Sequence, residues 1–173
     1  MIGEAHMLKK MQTSTIAGMV LALVTSLTPP SAVAADKRPV PASAVQTTDG
    51  ATLTLDRSAG TESRVYIYVL PDSQVSGRLL SALRTWPLAA PDRVTIVVGG
   101  DVAKARAFAT ADHGLAVQWL VDAERAVWTD LEVAGVPTLL GVRNGIVEWR
   151  LAGVLNNPSA LQNVVSGWVD GPR

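Results

Sequence analysis

Two apolar stretches in the middle of the chain contain almost no alternation of polar and apolar residues. Residues 65–70 read V-Y-I-Y-V-L, and residues 93–98 read R-V-T-I-V-V. A strand that is covered on both faces loses the alternation that a half-exposed strand keeps, and β-branched and aromatic residues favour strands. The two stretches therefore predict central strands of a sheet. Pro71 ends the first, and Gly99-Gly100 ends the second.

Helical spacing of apolar residues follows the first of these strands. Within residues 76–86 the apolar side chains recur every three or four positions, as on the buried face of a helix. They are Leu79, Leu80, Leu83 and Trp86. Asp101 predicts the N-cap of a second helix, because a short side-chain oxygen can accept from the first free backbone N–H groups. Asn157 with Pro158 predicts the start of a last helix in the same way.

Two turn dipeptides predict hairpins near the two ends of the domain. Asp49-Gly50 lies among β-forming residues, and Asn144-Gly145 separates two further stretches of that kind. Such pairs favour the positive φ angles of tight hairpin turns. A short strand is predicted at residues 117–121 and another after Pro137. Because strands alternate with helices, we predict an α/β fold: a mixed sheet with helices on both faces and an N-terminal β-hairpin.

Residues 1–35 have the layout of a secretory signal peptide. Lys9 and Lys10 form a basic segment, residues 15–27 are apolar, and S-A-V-A-A at residues 31–35 provides small residues for cleavage. The apolar segment is shorter than the ~20 residues of a transmembrane helix. We expect cleavage and export to the periplasm. The alternative is an uncleaved anchor in the inner membrane, facing the periplasm, which contacts the membrane only through residues 15–27.

The remainder divides into two parts. Residues 36–43 are polar and contain proline, which predicts an extended linker, and residues 44–170 form the predicted domain. The whole chain has 15 basic and 15 acidic residues. Without Lys9, Lys10 and Glu4 the net charge falls near −1. This charge gives no reason to expect nucleic acid or an anionic membrane as a partner.

The turn after the first central strand contains two serines in a chain that has no cysteine. Residues 70–80 read L-P-D-S-Q-V-S-G-R-L-L, with Ser73 and Ser76 three positions apart. This frame resembles the thioredoxin fold, in which the same turn carries C-x-x-C. The motif G-V-P-T at residues 135–138 resembles the segment of that fold that bears a cis-proline. The order of elements, with its N-terminal hairpin, resembles the exported TlpA and ResA group.

Three segments are similar to one branch of that group, the MauD-type accessory proteins of methylamine dehydrogenase maturation. They are the turn at residues 70–80, the segment T-T-D-G-A-T-L-T-L at residues 47–55 and the tail at residues 144–165. The resemblance covers nearly all of the predicted domain. The two cysteines of that branch are missing, and G-V-P-T matches ordinary thioredoxins better.

The resemblance implies that Ser73 and Ser76 occupy degenerate redox positions, so no catalytic residue is expected. A hydroxyl forms no disulfide and is a poor nucleophile without an activating base. A helix N-terminus stabilises a negative charge by only ~0.3–1 kcal/mol at an exposed end. This is less than one pKa unit, which corresponds to about 1.4 kcal/mol. The helix dipole therefore cannot make serine reactive.

Two interpretations of the turn remain. In the first, Asp72 or Ser73 simply caps the helix. In the second, the turn is one wall of a peptide groove, and the backbone at Val136 forms the other wall by pairing with an extended client. The partner-binding residues predicted on this second basis are Ser73, Gln74, Val75, Ser76, Val136 and Pro137. Trp119 or Trp128 is a candidate for lining the groove, since exposed tryptophan is enriched at interfaces.

Other chemistries find little support in the residues. With no cysteine and only His113 beyond the signal segment, neither a metal site nor a cofactor is predicted. His113 is interpreted as a residue of a helix C-terminus. Asp72, Asp122 and Asp130 are interpreted as solvated loop carboxylates. Phosphate-binding, dinucleotide and nucleophile-elbow motifs are absent from the sequence.

Three functions therefore stay open. The first is a non-redox binding protein that assists maturation of a periplasmic enzyme, and the resemblance implies a polypeptide client such as an amine dehydrogenase subunit. The second is a member of a thiol-disulfide oxidoreductase family whose active cysteines were replaced by serine. The third is a scaffold without a groove, which an uncovered apolar patch away from Pro137 would favour.

Overall fold

A computed structural model describes residues 34–153 and 157–171. Its strands are β1 (Ala34–Pro39), β2 (Ala44–Thr47), β3 (Thr52–Thr54), β4 (Arg64–Val69), β5 (Val94–Val98), β6 (Gln118–Val121), β7 (Thr138–Arg143) and β8 (Ile146–Ala152). Its α-helices are α1 (Leu55–Ala59), α2 (Gln74–Leu83), α3 (Val102–Thr110), α4 (Ala126–Asp130) and α5 (Pro158–Val169), and a 3-10 turn covers Pro91–Arg93. The predicted signal segment lies almost wholly outside the described residues. Within them, no helix is long and apolar enough to cross a membrane.

All eight strands belong to one mixed sheet, in the order β1-β8-β7-β4-β5-β6-β2-β3. β4, β5 and β6 run parallel to one another, whereas β7 lies antiparallel to β4 on its other side. The predicted α/β fold with an N-terminal hairpin is confirmed, since β2 and β3 pair antiparallel around the Asp49-Gly50 turn.

The central strand β4 shows why its sequence lacks alternation. Val65, Ile67 and Val69 face a core that is completed by α2, α3 and α5. Tyr66 and Tyr68 face a second core, to which α1 and α4 contribute. Successive side chains of a strand point to opposite faces, so a strand that is covered twice must be apolar at every position.

Side-chain caps fix where α3 and α5 begin. Asp101 accepts from the Lys104 N–H at 3.0 Å, and Asn157 accepts from the Ala160 N–H at 3.0 Å. Both predicted N-caps are confirmed. Pro158 occupies the first turn of α5, where its missing N–H leaves no hydrogen bond unmade.

Two segments differ from the sequence-based description. The predicted linker, residues 36–43, overlaps strand β1, which pairs with β8 at the edge of the sheet. The short helix α1, at Leu55–Ala59, was not predicted, because five residues are too few to show helical periodicity.

Candidate functional site

The turn between β4 and α2 is closed by hydrogen bonds of Ser73. The Ser73 N–H donates to the Leu70 carbonyl at 3.2 Å, and the Ser73 hydroxyl oxygen accepts from the Ser76 N–H at 3.2 Å. Ser73 is therefore the N-cap of α2. Its side chain is half-buried, whereas the neighbouring Gln74 is exposed and Val75 is half-buried.

Ser76 lies one turn further inside and is fully buried, with 0% of its surface exposed. Its hydroxyl oxygen accepts from the Leu70 N–H at 3.3 Å, which connects the first turn of α2 to the end of β4. Among the described residues, neither serine hydroxyl has a histidine or a carboxylate as a hydrogen-bond partner. Since no base is in contact, the two hydroxyls are structural acceptors and not activated nucleophiles.

Val136 and Pro137 lie at the same edge of the sheet as this turn. Tyr68 in β4 is in register with Thr138 in β7, so Pro137 lies beside the end of β4. The Val136-Pro137 peptide bond is cis. Pro137 is buried, and its carbonyl accepts from the Gly153 N–H at 3.0 Å.

The backbone of Val136 differs from that of its neighbours. Neither its N–H nor its carbonyl is hydrogen-bonded to another residue in the part of the chain that the structure describes. The Val136 side chain is half-buried and packs against the core on the face of Tyr68. A partly exposed residue with both backbone groups open can pair with an added extended strand.

A cavity of about 400 Å³ opens on the other side of Ser73. Its walls follow the carboxyl ends of the parallel strands β4, β5 and β6, which is the usual position of ligand sites in parallel sheets. The lining residues are Leu70, Pro71, Asp72, Ser73, Gly100, Asp101, Lys104 and Arg125. Of the six predicted partner-binding residues, Ser73 alone lines this cavity.

Lys104 and Asp72 form an exposed ion pair among these lining residues, with 3.0 Å between Nζ and Oδ2. The hydrogen bond to Asp72, and then the charge of that carboxylate, raise the pKa of the Lys104 ammonium. The pair joins α3 to the turn that precedes Ser73. Because both side chains are largely solvated, the pair contributes little to stability.

Asp122 corrects the interpretation of the loop carboxylates, because it is fully buried with 0% of its surface exposed. It accepts from the Tyr68 hydroxyl at 2.8 Å and from the backbone N–H groups of Val127 and Trp128 at 3.2 and 3.1 Å. Three donors compensate the burial of this side chain. Burial of Tyr68, and then the Asp122 charge, raise the pKa of the Tyr68 hydroxyl. No local spacing in the sequence indicates this network, because Tyr68 and Asp122 lie 54 positions apart.

Two tryptophans were candidates for lining a groove, and they have different neighbours. Trp128 packs edge-on against Tyr68, with ring centroids 5.6 Å apart, and the Arg125 guanidinium lies 5.2 Å from its ring. Trp119 stacks on His113 at 4.7 Å. The His113 Nε2 atom lies 2.7 Å from the Phe108 carbonyl, at the end of α3 as interpreted from the sequence.

The surface gives two further findings for residues 34–153 and 157–171. No group of three His, Cys, Asp or Glu side chains there is placed to hold a metal ion. Val102, at 39% exposure, is the one large apolar side chain in those ranges that is exposed. The uncovered apolar patch that would favour a scaffold role is thus not seen in them.

Solved structures that are similar to this chain include thiol-disulfide oxidoreductases. A secreted disulfide oxidoreductase from Mycobacterium tuberculosis, homologous to Escherichia coli DsbE, is 19% identical, with a TM-score of 0.58 over 72% of this chain and 94% of that one. The thioredoxin domain of a thiol-disulfide oxidoreductase from Bacteroides vulgatus is 15% identical, with a TM-score of 0.60 over 80% of this chain and 99% of that one.

StoA from Bacillus subtilis is similar at 15% identity, with a TM-score of 0.50 over 78% of this chain and 98% of that one. No protein-family model matches the sequence, and a search of the curated proteins finds no match. At these identities the likeness establishes the fold, which is thioredoxin-like.

Proposed function

We propose that this protein is a non-redox binding protein that uses a thioredoxin-like fold to hold an extended polypeptide. The observation that carries the proposal is the open backbone of Val136, whose N–H and carbonyl are not bonded to any other described residue. An extended client can satisfy both groups through main-chain hydrogen bonds of the kind formed in β-augmentation. Gln74 and Val75, at the exposed start of α2, form the opposite wall.

The chemistry of the turn supports binding rather than electron transfer. The Ser73 oxygen accepts the Ser76 N–H, and the Ser76 oxygen accepts the Leu70 N–H. The chain also contains no sulfur other than that of methionine. A partner can therefore be held at this turn, but no disulfide can be exchanged with it.

The sequence supports a cellular location and a client for this function. The signal layout of residues 1–35 supports export to the periplasm, with a membrane-anchored form as the alternative. The resemblance to the MauD branch supports a client that belongs to a maturing periplasmic enzyme, such as a subunit of an amine dehydrogenase. That client is tested by co-purification with the subunit in an unfolded and in an assembled form.

Charge substitutions on the two walls of the groove test the binding site. Val136→Asp and Val75→Glu replace apolar side chains on the two walls by unpaired charges that a bound client would desolvate, so each is expected to weaken client binding at least about tenfold. The isosteric variants Val136→Thr and Val75→Thr keep the volume without the charge and serve as matched controls. Equal binding by the charged and the threonine variants would exclude this groove.

One observation favours a second candidate function. Ser73 is the N-cap of α2, and the protein shares its fold with a disulfide oxidoreductase. In this case the chain is an oxidoreductase whose active cysteines were replaced by serine. The double variant Ser73→Cys with Ser76→Cys is then expected to reduce insulin, whereas the chain as it stands does not. An inactive but folded double variant would show that the rest of the site has changed as well.

A further inference from the structure

The cavity next to Ser73 contains a guanidinium that takes part in no ion pair among the described residues. Arg125 is exposed, and its guanidinium forms no ion pair with any other residue that the structure describes. The guanidinium is held instead over the ring of Trp128, 5.2 Å from its centroid. The two carboxylates of the cavity already have partners, since Asp72 is paired with Lys104 and Asp101 accepts from the Lys104 N–H.

The position of Arg125 is set by the Trp128 ring under its guanidinium and by its own backbone conformation. The backbone N–H of Trp128 donates to the buried Asp122 carboxylate, which also accepts from the Tyr68 hydroxyl. The backbone of Arg125 adopts a left-handed conformation, with φ 58° and ψ 24°. Arginine adopts this conformation at a cost of about 1 kcal/mol, which glycine would avoid. Non-glycine residues in such conformations cluster at binding sites.

The remaining walls are also suited to an anion. Ser73 and Asp101 are the N-caps of α2 and α3, so the positive ends of two helix dipoles lie at the cavity. The planar guanidinium of arginine matches the two oxygens of a carboxylate, with which it can form two parallel hydrogen bonds. A volume of about 400 Å³ admits an amino-acid side chain or a chain end.

We propose that this cavity binds a carboxylate group through Arg125, with Lys104 at its rim. The carboxylate belongs to the client held at Val136, and this part of the proposal rests on the proposed function. It is either an Asp or Glu side chain of the client or the client's C-terminal carboxylate. The cavity thereby selects acidic client segments, whereas the open backbone at Val136 binds without regard to sequence.

Backbone amide shifts of the 15N-labelled protein separate the two parts of the site. The probes are three acetylated pentapeptides: amidated Ala-Val-Gln-Val-Ala, its Glu counterpart, and the Gln peptide with a free C-terminus. The amidated Gln peptide is expected to shift the amides of the two groove walls, Val136 with Gly135 and Gln74 with Val75, and to leave those of Gly100 and Asp101 unchanged. A carboxylate peptide should also shift those of Ser73, Gly100 and Asp101, and bind about fivefold tighter at low salt. The peptide that gains affinity identifies the carboxylate source.

Three variants test whether the gain depends on Arg125. Arg125→Gln removes the charge, and Arg125→Gly removes it with a residue that suits the left-handed backbone, so both should abolish the fivefold difference. Arg78→Gln removes the same charge from the exposed face of α2 and should leave the difference intact. Added salt should reduce the gain in the unmodified protein, because ions screen exposed charges.

The outcomes distinguish the two proposals. Equal affinities for all three peptides, or inorganic phosphate shifting the cavity amides more than acetate does, would overturn the carboxylate site. Shifts at Val136 with the neutral peptide would still support the groove in that case. Conversely, cavity shifts with the Glu peptide and no shift at Val136 with any peptide would support the carboxylate site and refute the groove.

Discussion

Ser73 and Ser76 differ in what their hydroxyl groups contact, although they lie in one turn. Ser73 is half-buried and caps α2, whereas Ser76 is fully buried and supplies the acceptor for the Leu70 N–H. Water can replace the first contact at a half-exposed site. The second contact is made by a hydroxyl that has no exposed surface, so the loss of Ser76 removes the acceptor of the Leu70 N–H from inside the fold.

Alanine substitutions measure this difference. Ser76→Ala is expected to lower the free energy of unfolding by about 1–3 kcal/mol, the cost of removing a buried acceptor from its hydrogen bond with the Leu70 N–H. Ser73→Ala should cost about 1 kcal/mol, the usual value for a lost N-cap. Urea unfolding provides both values. Ser81→Ala, on the exposed face of the same helix, is the control and should change stability by less than about 0.5 kcal/mol. A Ser76→Ala variant as stable as this control would contradict the assigned hydrogen bond.

At the scale of the element, β4 carries the only two tyrosines of the chain, Tyr66 and Tyr68. Both face the core that α1 and α4 complete. Burial raises the pKa of Tyr66 to about 12, and burial with the Asp122 charge raises the pKa of Tyr68 further above its ordinary value. In the folded protein, therefore, neither hydroxyl ionises in the range where a free tyrosine does.

The sign of the resulting pH dependence follows from these directions. A raised pKa means that folding favours the neutral phenol, so its full stabilisation is present below the unfolded pKa of about 10. It is lost as the pH rises from there through the folded pKa of Tyr66 at about 12. Tyrosinate absorbance should therefore be nearly absent from the native protein at the pH where the two tyrosines of the urea-unfolded chain are half ionised. Titration of the native protein near the ordinary tyrosine pKa would refute the buried placement.

The elements that could be predicted are those whose signals are local. The buried strands, the caps at Asp101 and Asn157 and the Asp49-Gly50 turn each depend on neighbouring residues. The helix α1 was missed because its five residues are too few to show the helical periodicity of apolar positions. The role of Asp122 was missed because its partner Tyr68 comes from another strand, and a carboxylate in a sequence shows nothing of its burial.

At the scale of the whole molecule, the sequence predicted the arrangement of the sheet better than its site. Ser73 and Pro137 could be placed at the same end of the central strands, because β4 and β7 are neighbours once the fold is identified. The cavity could not be predicted, since Arg125, Lys104 and Asp72 meet only through three separate loops and helix ends. Its charge balance depends on which of these groups already have partners, and only coordinates give that.

The edge strand β1 is the part of the sheet that the sequence described as a linker, and truncation tests its contribution. Arg38 and Pro39 pair with Val147 and Ile146 of β8, and an Arg38 guanidinium N–H donates to the Leu131 carbonyl at 2.9 Å. A chain that begins at Asp36, as predicted for signal cleavage, keeps these contacts. It should match the longer chain in stability to within about 1 kcal/mol.

A chain that begins at Val40 loses them and exposes the edge of β8. We expect its free energy of unfolding to fall by about 2–3 kcal/mol, from lost hydrogen bonds and a lost ladder, and its self-association to increase, because an unpaired edge recruits other strands. Urea unfolding and sedimentation of the two truncated chains measure both effects. If the chains starting at Asp36 and at Val40 prove equally stable and monomeric, residues 36–39 act as a linker and the sheet ends at β8.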